Sequence, residues 1–111
     1  MLSMPSEIKV WVASGIVDMR KGCLSLAALI EHDFKLKSQS GELFVFFGRS
    51  QAKVKIVYWD RNGYVMWYKT LADGRFRPPR VNKQCYSITV SDLTLLLEGI
   101  DLVSAKRLRV V

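Results

Sequence analysis

Hydrophobic positions along the chain change their period twice. From residue 8 to 13, Ile8, Val10 and Val12 alternate with Lys9, Trp11 and Ala13, the period of two expected of a strand. "SGIVD" reads as a loop in which Gly15 supplies conformational freedom. Apolar side chains then recur in steps of three and four at Met19, Cys23, Leu26, Ala27, Ile30 and Phe34, which predicts a helix ending before "KLKSQSG". Asp18 is placed as its N-cap, able to accept the amide proton of Arg20 or Lys21. Three segments rich in aromatic and β-branched residues follow, 42–48, 53–60 and 64–71. "GRSQA" and "DRNG" separate them, and Asn62-Gly63 signals a hairpin turn. In the middle segment Val54, Ile56 and Tyr58 form a core face, while Lys53, Lys55, Val57 and Trp59 form a mixed one. "ADGRFRPPR" reads as a turn and an extended piece that Pro78-Pro79 keeps out of any ladder. "QCYSITV" reads as a last strand, and Ser91 caps a short helix that stops at Gly99. "KRLRVV" reads as a loose basic tail.

This order predicts an α+β fold: a mostly antiparallel, meandering sheet, one helix after the first strand and a short C-terminal helix, with helices on one side or at one end. At 111 residues, it predicts a single domain spanning 1–111 with a core of about 8–102. No apolar run approaches the ~20 residues of a membrane span, and the first ten residues do not read as a signal peptide. Cys23 and Cys85 do not resemble a disulfide framework, so a reduced, cytoplasmic protein is expected.

Charge sharpens the picture. The net charge is +7, and the nine basic and two acidic residues between Arg49 and Lys83 account for all of it; the remainder is neutral. Such segregation suggests a face for a polyanion. Nine of the twelve aromatics fall between Phe44 and Phe76, in largely the same region. Cations there can neutralise phosphates and exposed rings can stack on unpaired bases. Most rings in a small β domain are core, so the cations are the better candidates. The predicted DNA-binding residues are Arg20, Lys21, Arg49, Lys53, Lys55, Arg61, Lys69, Arg75, Arg77 and Arg80. Among them Arg75, Arg77 and Arg80 stand out, because a guanidinium fork suits phosphate oxygens and guanine edges. At the predicted helix start, Arg20 and Lys21 face the positive end of the helix dipole, an arrangement suited to an incoming anion or to pairing with Asp18.

Catalytic chemistry is hard to find. His32 is the sole histidine, and with Cys23 and Cys85 it cannot complete a four-ligand zinc site. Cys23 and His32, nine residues apart on one helix, point to nearly opposite sides. There is no nucleophile elbow and no phosphate loop of the Walker type. The acids are scattered: Asp18 reads as a cap, Asp60 and Asp73 as turn residues, Asp92 as a helix-start acid, and Glu98 lies near a helix end. No catalytic residue, metal or cofactor is therefore assigned. A magnesium-dependent nuclease would need acids that cluster.

Read as blocks, the chain resembles the TnpB accessory proteins of insertion-sequence family sixty-six. The resemblance rests on Asp18-Met19-Arg20-Lys21-Gly22, Leu43-Phe44-Val45-Phe46, Lys55-Ile56-Val57-Tyr58-Trp59-Asp60, Trp67-Tyr68-Lys69, Gly74-Arg75-Phe76 and Leu96-Leu97-Glu98-Gly99, and runs from about Val10 to Leu102. It implies a non-catalytic helper in transposition, working beside a separate transposase that cuts and joins, and it carries over no catalytic residues. Relatives often place Trp-Pro after the Gly-Arg-Phe block, where this chain has Arg77-Pro78-Pro79-Arg80. The expected partners are DNA, at the element ends, and the transposase of the same element. The alternative is a protein–protein adaptor that docks onto the transposase without touching DNA.

Overall fold

The computed structural model describes residues 5–103, so the tail "KRLRVV" lies outside the described residues. Five strands and two helices follow in the order β1 (Val10–Ala13), α1 (Cys23–His32), β2 (Leu43–Phe47), β3 (Lys53–Asp60), β4 (Gly63–Thr70), β5 (Cys85–Ile88) and α2 (Val90–Leu97). They form one sheet in the order β4-β3-β2-β1-β5. The fold is α+β with a mixed, mostly antiparallel sheet, as the periodicities predict. The exception is the β1–β2 pair, which is parallel because α1 carries the chain back across the sheet between them.

The helices lie on opposite faces, not on one side or at one end as the sequence suggested. Strand alternation explains this. Val10, Val12, Leu43, Val45, Phe47, Val54 and Ile56 point to one face, where Leu93, Leu96 and Leu97 of α2 and the loop residue Phe76 cover them. Ala13, Phe44, Phe46 and Val57 point to the other, under Leu26 and Ile30 of α1. The five residues of β2 are all buried, because this strand is sandwiched by apolar groups on both sides. The cation-bearing face of β3 is thus also a core face.

Three element boundaries differ from expectation. The helix α1 begins at Cys23 with Gly22 as its N-cap, and no side chain caps it. Asp18 instead closes a separate turn, accepting the Arg20 amide proton at 2.9 Å while Lys21 N–H donates to Asp18 O. Arg20 and Lys21 therefore lie before the helix, not in its first turn. In α2 the cap is Thr89, two residues earlier than Ser91; its hydroxyl accepts from Asp92 N–H at 3.0 Å. The stop at Gly99 stands, with φ at 83°. The β3–β4 turn consists of Arg61 and Asn62, because Asp60 pairs with Gly63. This register sets Ile56 opposite Trp67; moving the turn forward by one residue would set Ile56 opposite Lys69. An apolar cross-strand pair outweighs the local preference of Asn-Gly, and Arg61 accepts a left-handed φ of 55° in consequence.

Candidate nucleic-acid interface

One end of the sheet gathers the loops that follow β1, β2 and β4 and the segment that leads into β5. Backbone bonds tie them together. Val17 N–H donates to Phe47 O at 3.0 Å, and Ser14 N–H to Gln84 O at 2.9 Å. Leu71 N–H reaches Ala52 O at 2.8 Å, and Phe76 N–H reaches Gln51 O at 2.7 Å. The β2–β3 turn, 48–52, accepts the last two of these bonds. Gly48 permits the close approach of the preceding loop: a Cβ there would sit 2.7 Å from Met19 Cγ. Gln51 turns the chain with φ at 59°.

Arg20, Arg49 and Lys53 line one open cleft of about 800 Å³, together with Ile16–Met19, Gly48 and Ser50. Lys21, exposed, sits on the same loop as Arg20. Arg75 and Arg77 flank Phe76, which is wholly buried and packs on Phe47 with ring centroids 5.6 Å apart. That anchor holds two exposed guanidinium groups beside the 48–52 turn. Arg80 lines a neighbouring cleft of about 360 Å³ with Gly48, Gln51, Pro78 and Pro79. Tyr86 fixes this stretch by donating its hydroxyl proton to Pro79 O at 2.9 Å. The structure thus brings together seven of the ten predicted cations: Arg20, Lys21, Arg49, Lys53, Arg75, Arg77 and Arg80. Lys83 lines a further cleft at this end with Ile16, Val17 and the acid Asp33, and Asp18 and Asp73 lie on the same set of loops.

The other three predicted cations sit elsewhere. Lys55 is only 5% exposed. Its ammonium donates to Met19 O at 2.5 Å and Lys21 O at 2.8 Å and lies 4.9 Å from the Tyr68 ring centroid. It holds the basic loop from beneath and is spent on that task, so the expected phosphate contact from Lys55 is withdrawn. Lys69 is half-buried on the opposite face and donates to Leu97 O at 3.0 Å. A cation at a helix C-terminus stabilises it by about 0.3–1 kcal/mol, which makes Lys69 a cap of α2 and not part of the cleft. Arg61 occupies the hairpin at the far end of β3, 3.6 Å from Asp60.

Arg20 also meets Asp18 in a two-pronged pair, with contacts of 2.8 and 3.1 Å. The hydrogen bond from Arg20, then the Arg20 amide, hold the Asp18 carboxyl well below the usual carboxylate range. Both groups are well exposed, so the pair orients the guanidinium more than it stabilises the fold. No group of three or more His, Cys, Asp or Glu among the described residues could hold a metal ion. Asp60 and Asp18 lie at opposite ends of the sheet, and Asp73 accepts the Gly74 amide proton within its own turn. No helix among the described residues is long and apolar enough to cross a membrane.

Sequence reasoning missed Lys55 as an internal brace, Phe76 as an anchor and Tyr68 as an exposed ring. Lys55 stands in an alternating strand next to Lys53, so nothing local separates them; only the crossing of the 19–22 loop does.

A family profile described as "IS66 Orf2 like protein" (TnpB_IS66) matches residues 8–107. "Uncharacterized protein y4hO" of Sinorhizobium fredii (strain NBRC 101917 / NGR234) is 39% identical over 101 residues, covering 91% of this chain and 88% of the relative. "Uncharacterized protein y4jC" of the same strain is 28% identical over 107 residues, covering 96% of this chain and 92% of that protein. No solved structure matches.

Proposed function

From the premise that this chain belongs to the IS66 Orf2-like family, accessory proteins of IS66 elements, we propose that it binds DNA through the basic end of its sheet. There it assists the separate transposase at the element ends. The observation that carries this reading is the convergence of Arg20, Lys21, Arg49, Lys53, Arg75, Arg77 and Arg80 around the 48–52 turn. Exposed cations on one side of a small domain gain affinity for a phosphate backbone by releasing its counterions. The loops that carry them are bonded to each other, so little ordering entropy is lost on docking. The work asked of the protein is gripping and positioning, and the phosphodiester chemistry belongs to the transposase.

The test is a gel-shift titration on element-end and scrambled duplexes at two salt concentrations, with and without transposase. The wild-type protein should bind with a steep salt dependence. Reversal of Arg75 and Arg77 to Glu should weaken binding and flatten that dependence by about 2 in the log–log slope. Affinity unchanged by the reversals would remove these arginines from the interface.

A second reading has its own observation. Ile16 and Leu24 are 64% and 76% exposed, large apolar groups offered to solvent near the same loop and on α1. An adaptor would use them to dock onto the transposase. Nuclease-resistant co-purification of the two proteins, lost in Ile16→Glu/Leu24→Glu, would favour it.

A further inference from the structure

Of the twelve aromatic residues, eleven are buried or half-buried; Tyr68 alone is exposed, at 45%. It stands on β4, an edge strand, so no further strand covers it. The alternation of the β3–β4 ladder puts Tyr68 on the same face as Lys53 and Lys55, directly opposite Lys55. A single exposed tyrosine is ordinary on a protein surface. This one has a particular neighbour. The Lys55 ammonium lies over its ring, and the same ammonium is bonded to the carbonyls of Met19 and Lys21. Ring and basic loop therefore adjoin, joined by one buried cation whose contacts are all to neutral groups.

We propose that Tyr68 is a stacking platform for an unpaired nucleobase, so that the basic cleft grips single-stranded or frayed DNA as well as intact duplex. This rests on the DNA-binding reading above and names the form of DNA that it takes. The argument is one of placement. Base–aromatic stacking needs a ring with a free surface and a fixed orientation. Lys55 fixes Tyr68 by a cation–π contact from the protein side, and the strand edge leaves its other side open. Lys53 on the same face and Arg20 and Lys21 on the adjoining loop are then placed to take the phosphates flanking the stacked base. A buried ammonium under the ring adds positive potential that bulk water screens weakly. Helix α1 leaves this corner of the sheet uncovered, while the rings nearer the hairpin, Trp59 and Tyr64, pack edge to face on each other at 4.9 Å.

The experiment compares an oligothymidylate of about 12 nucleotides with a blunt hairpin duplex, by fluorescence anisotropy at one salt concentration. Tyr68→Ala should lower single-strand affinity about tenfold and leave duplex affinity within a factor of two. Tyr68→Phe should keep both affinities. Tyr68→Leu, which retains apolar cover for Lys55, should behave like Tyr68→Ala. A 5-iodouracil-substituted oligomer, irradiated in complex with wild-type protein, should attach at Tyr68 on peptide mapping. Unchanged single-strand affinity in Tyr68→Ala, equal loss on both DNAs, or attachment at another residue would overturn the proposal. In each of these outcomes duplex binding by wild-type protein would leave the cationic interface standing; if the wild-type protein bound neither DNA, the broader reading would fall with this one.

Discussion

The two ends of the sheet are built from similar loops, yet they treat charge in opposite ways. At the end where β3 meets β4, Arg61 lies 3.6 Å from Asp60, Trp11 Nε1–H donates to Glu42 at 3.1 Å, and Lys9 rests over the Trp11 ring. Glu31 accepts the Ser38 amide proton at 2.6 Å, and that bond holds its carboxyl below the usual carboxylate range. Arg61, Lys9, Glu31 and Glu42 there each meet a neighbour. At the other end Arg49, Lys53, Arg75, Arg77 and Arg80 are displayed around a hydrogen-bonded knot of backbone, with Lys55 and Phe76 as internal supports. Net charge along a chain does not separate these cases; the fold does, by deciding which cations meet a partner inside the molecule.

The contrast can be broken most severely at Phe76. It is fully buried against Phe47, and its amide bonds to Gln51, so it locks Arg75 and Arg77 to the 48–52 turn. Phe76→Ala should cost about 3–5 kcal/mol in urea denaturation. It should also weaken DNA binding although no charge has been removed. Full DNA affinity in a folded variant would show that the anchoring is irrelevant to the interface.

Lys55 gives the next effect. Lys55→Met preserves apolar bulk but takes the donor away from Met19 O and Lys21 O. The expected loss is about 1–2 kcal/mol, with faster amide exchange in residues 18–22. Exchange no faster than in the wild type would deny Lys55 its bracing role.

Alkaline pH supplies a milder test of the same end. Burial pushes the Tyr86 phenol up to about 12 from its ordinary 10.0. A raised folded-state value means that the contribution is complete below pH 10.0 and is lost as pH climbs from there toward about 12. Thermal unfolding midpoints should fall across that window. In Tyr86→Phe the fall should be shallower, since nothing remains there to ionise.

Much of the fold is legible from side-chain periodicity. The alternation in 8–13, 42–48 and 53–60 marks strands, and the spacing of Leu26, Ala27 and Ile30 marks the buried stripe of α1. Strand order is not legible. That β1 lies between β2 and β5, parallel to the first, depends on contacts across more than thirty residues of sequence. The interface is only partly legible for the same reason. Lys53 and Lys55 look equivalent in an alternating strand, and both do point to the α1 face. One reaches the rim and the other is closed over by the 19–22 loop. Lys69 was separable in principle, since it alternates with Tyr68, but its partner at the end of α2 is known only from the packing. Arg61 is grouped with the others when charge is counted by segment, while the hairpin carries it the length of β3 away from the cleft.

The central claim is that the two ends differ in what they offer a polyanion. It is tested most directly by reversing charge at each end in turn and measuring affinity for one duplex over a salt series. Arg49→Glu/Lys53→Glu should lower affinity at least about tenfold and flatten the log–log salt slope by about 2, while Arg61→Glu should leave both close to wild type. Equal losses from the two ends, or loss confined to Arg61→Glu, would contradict the account.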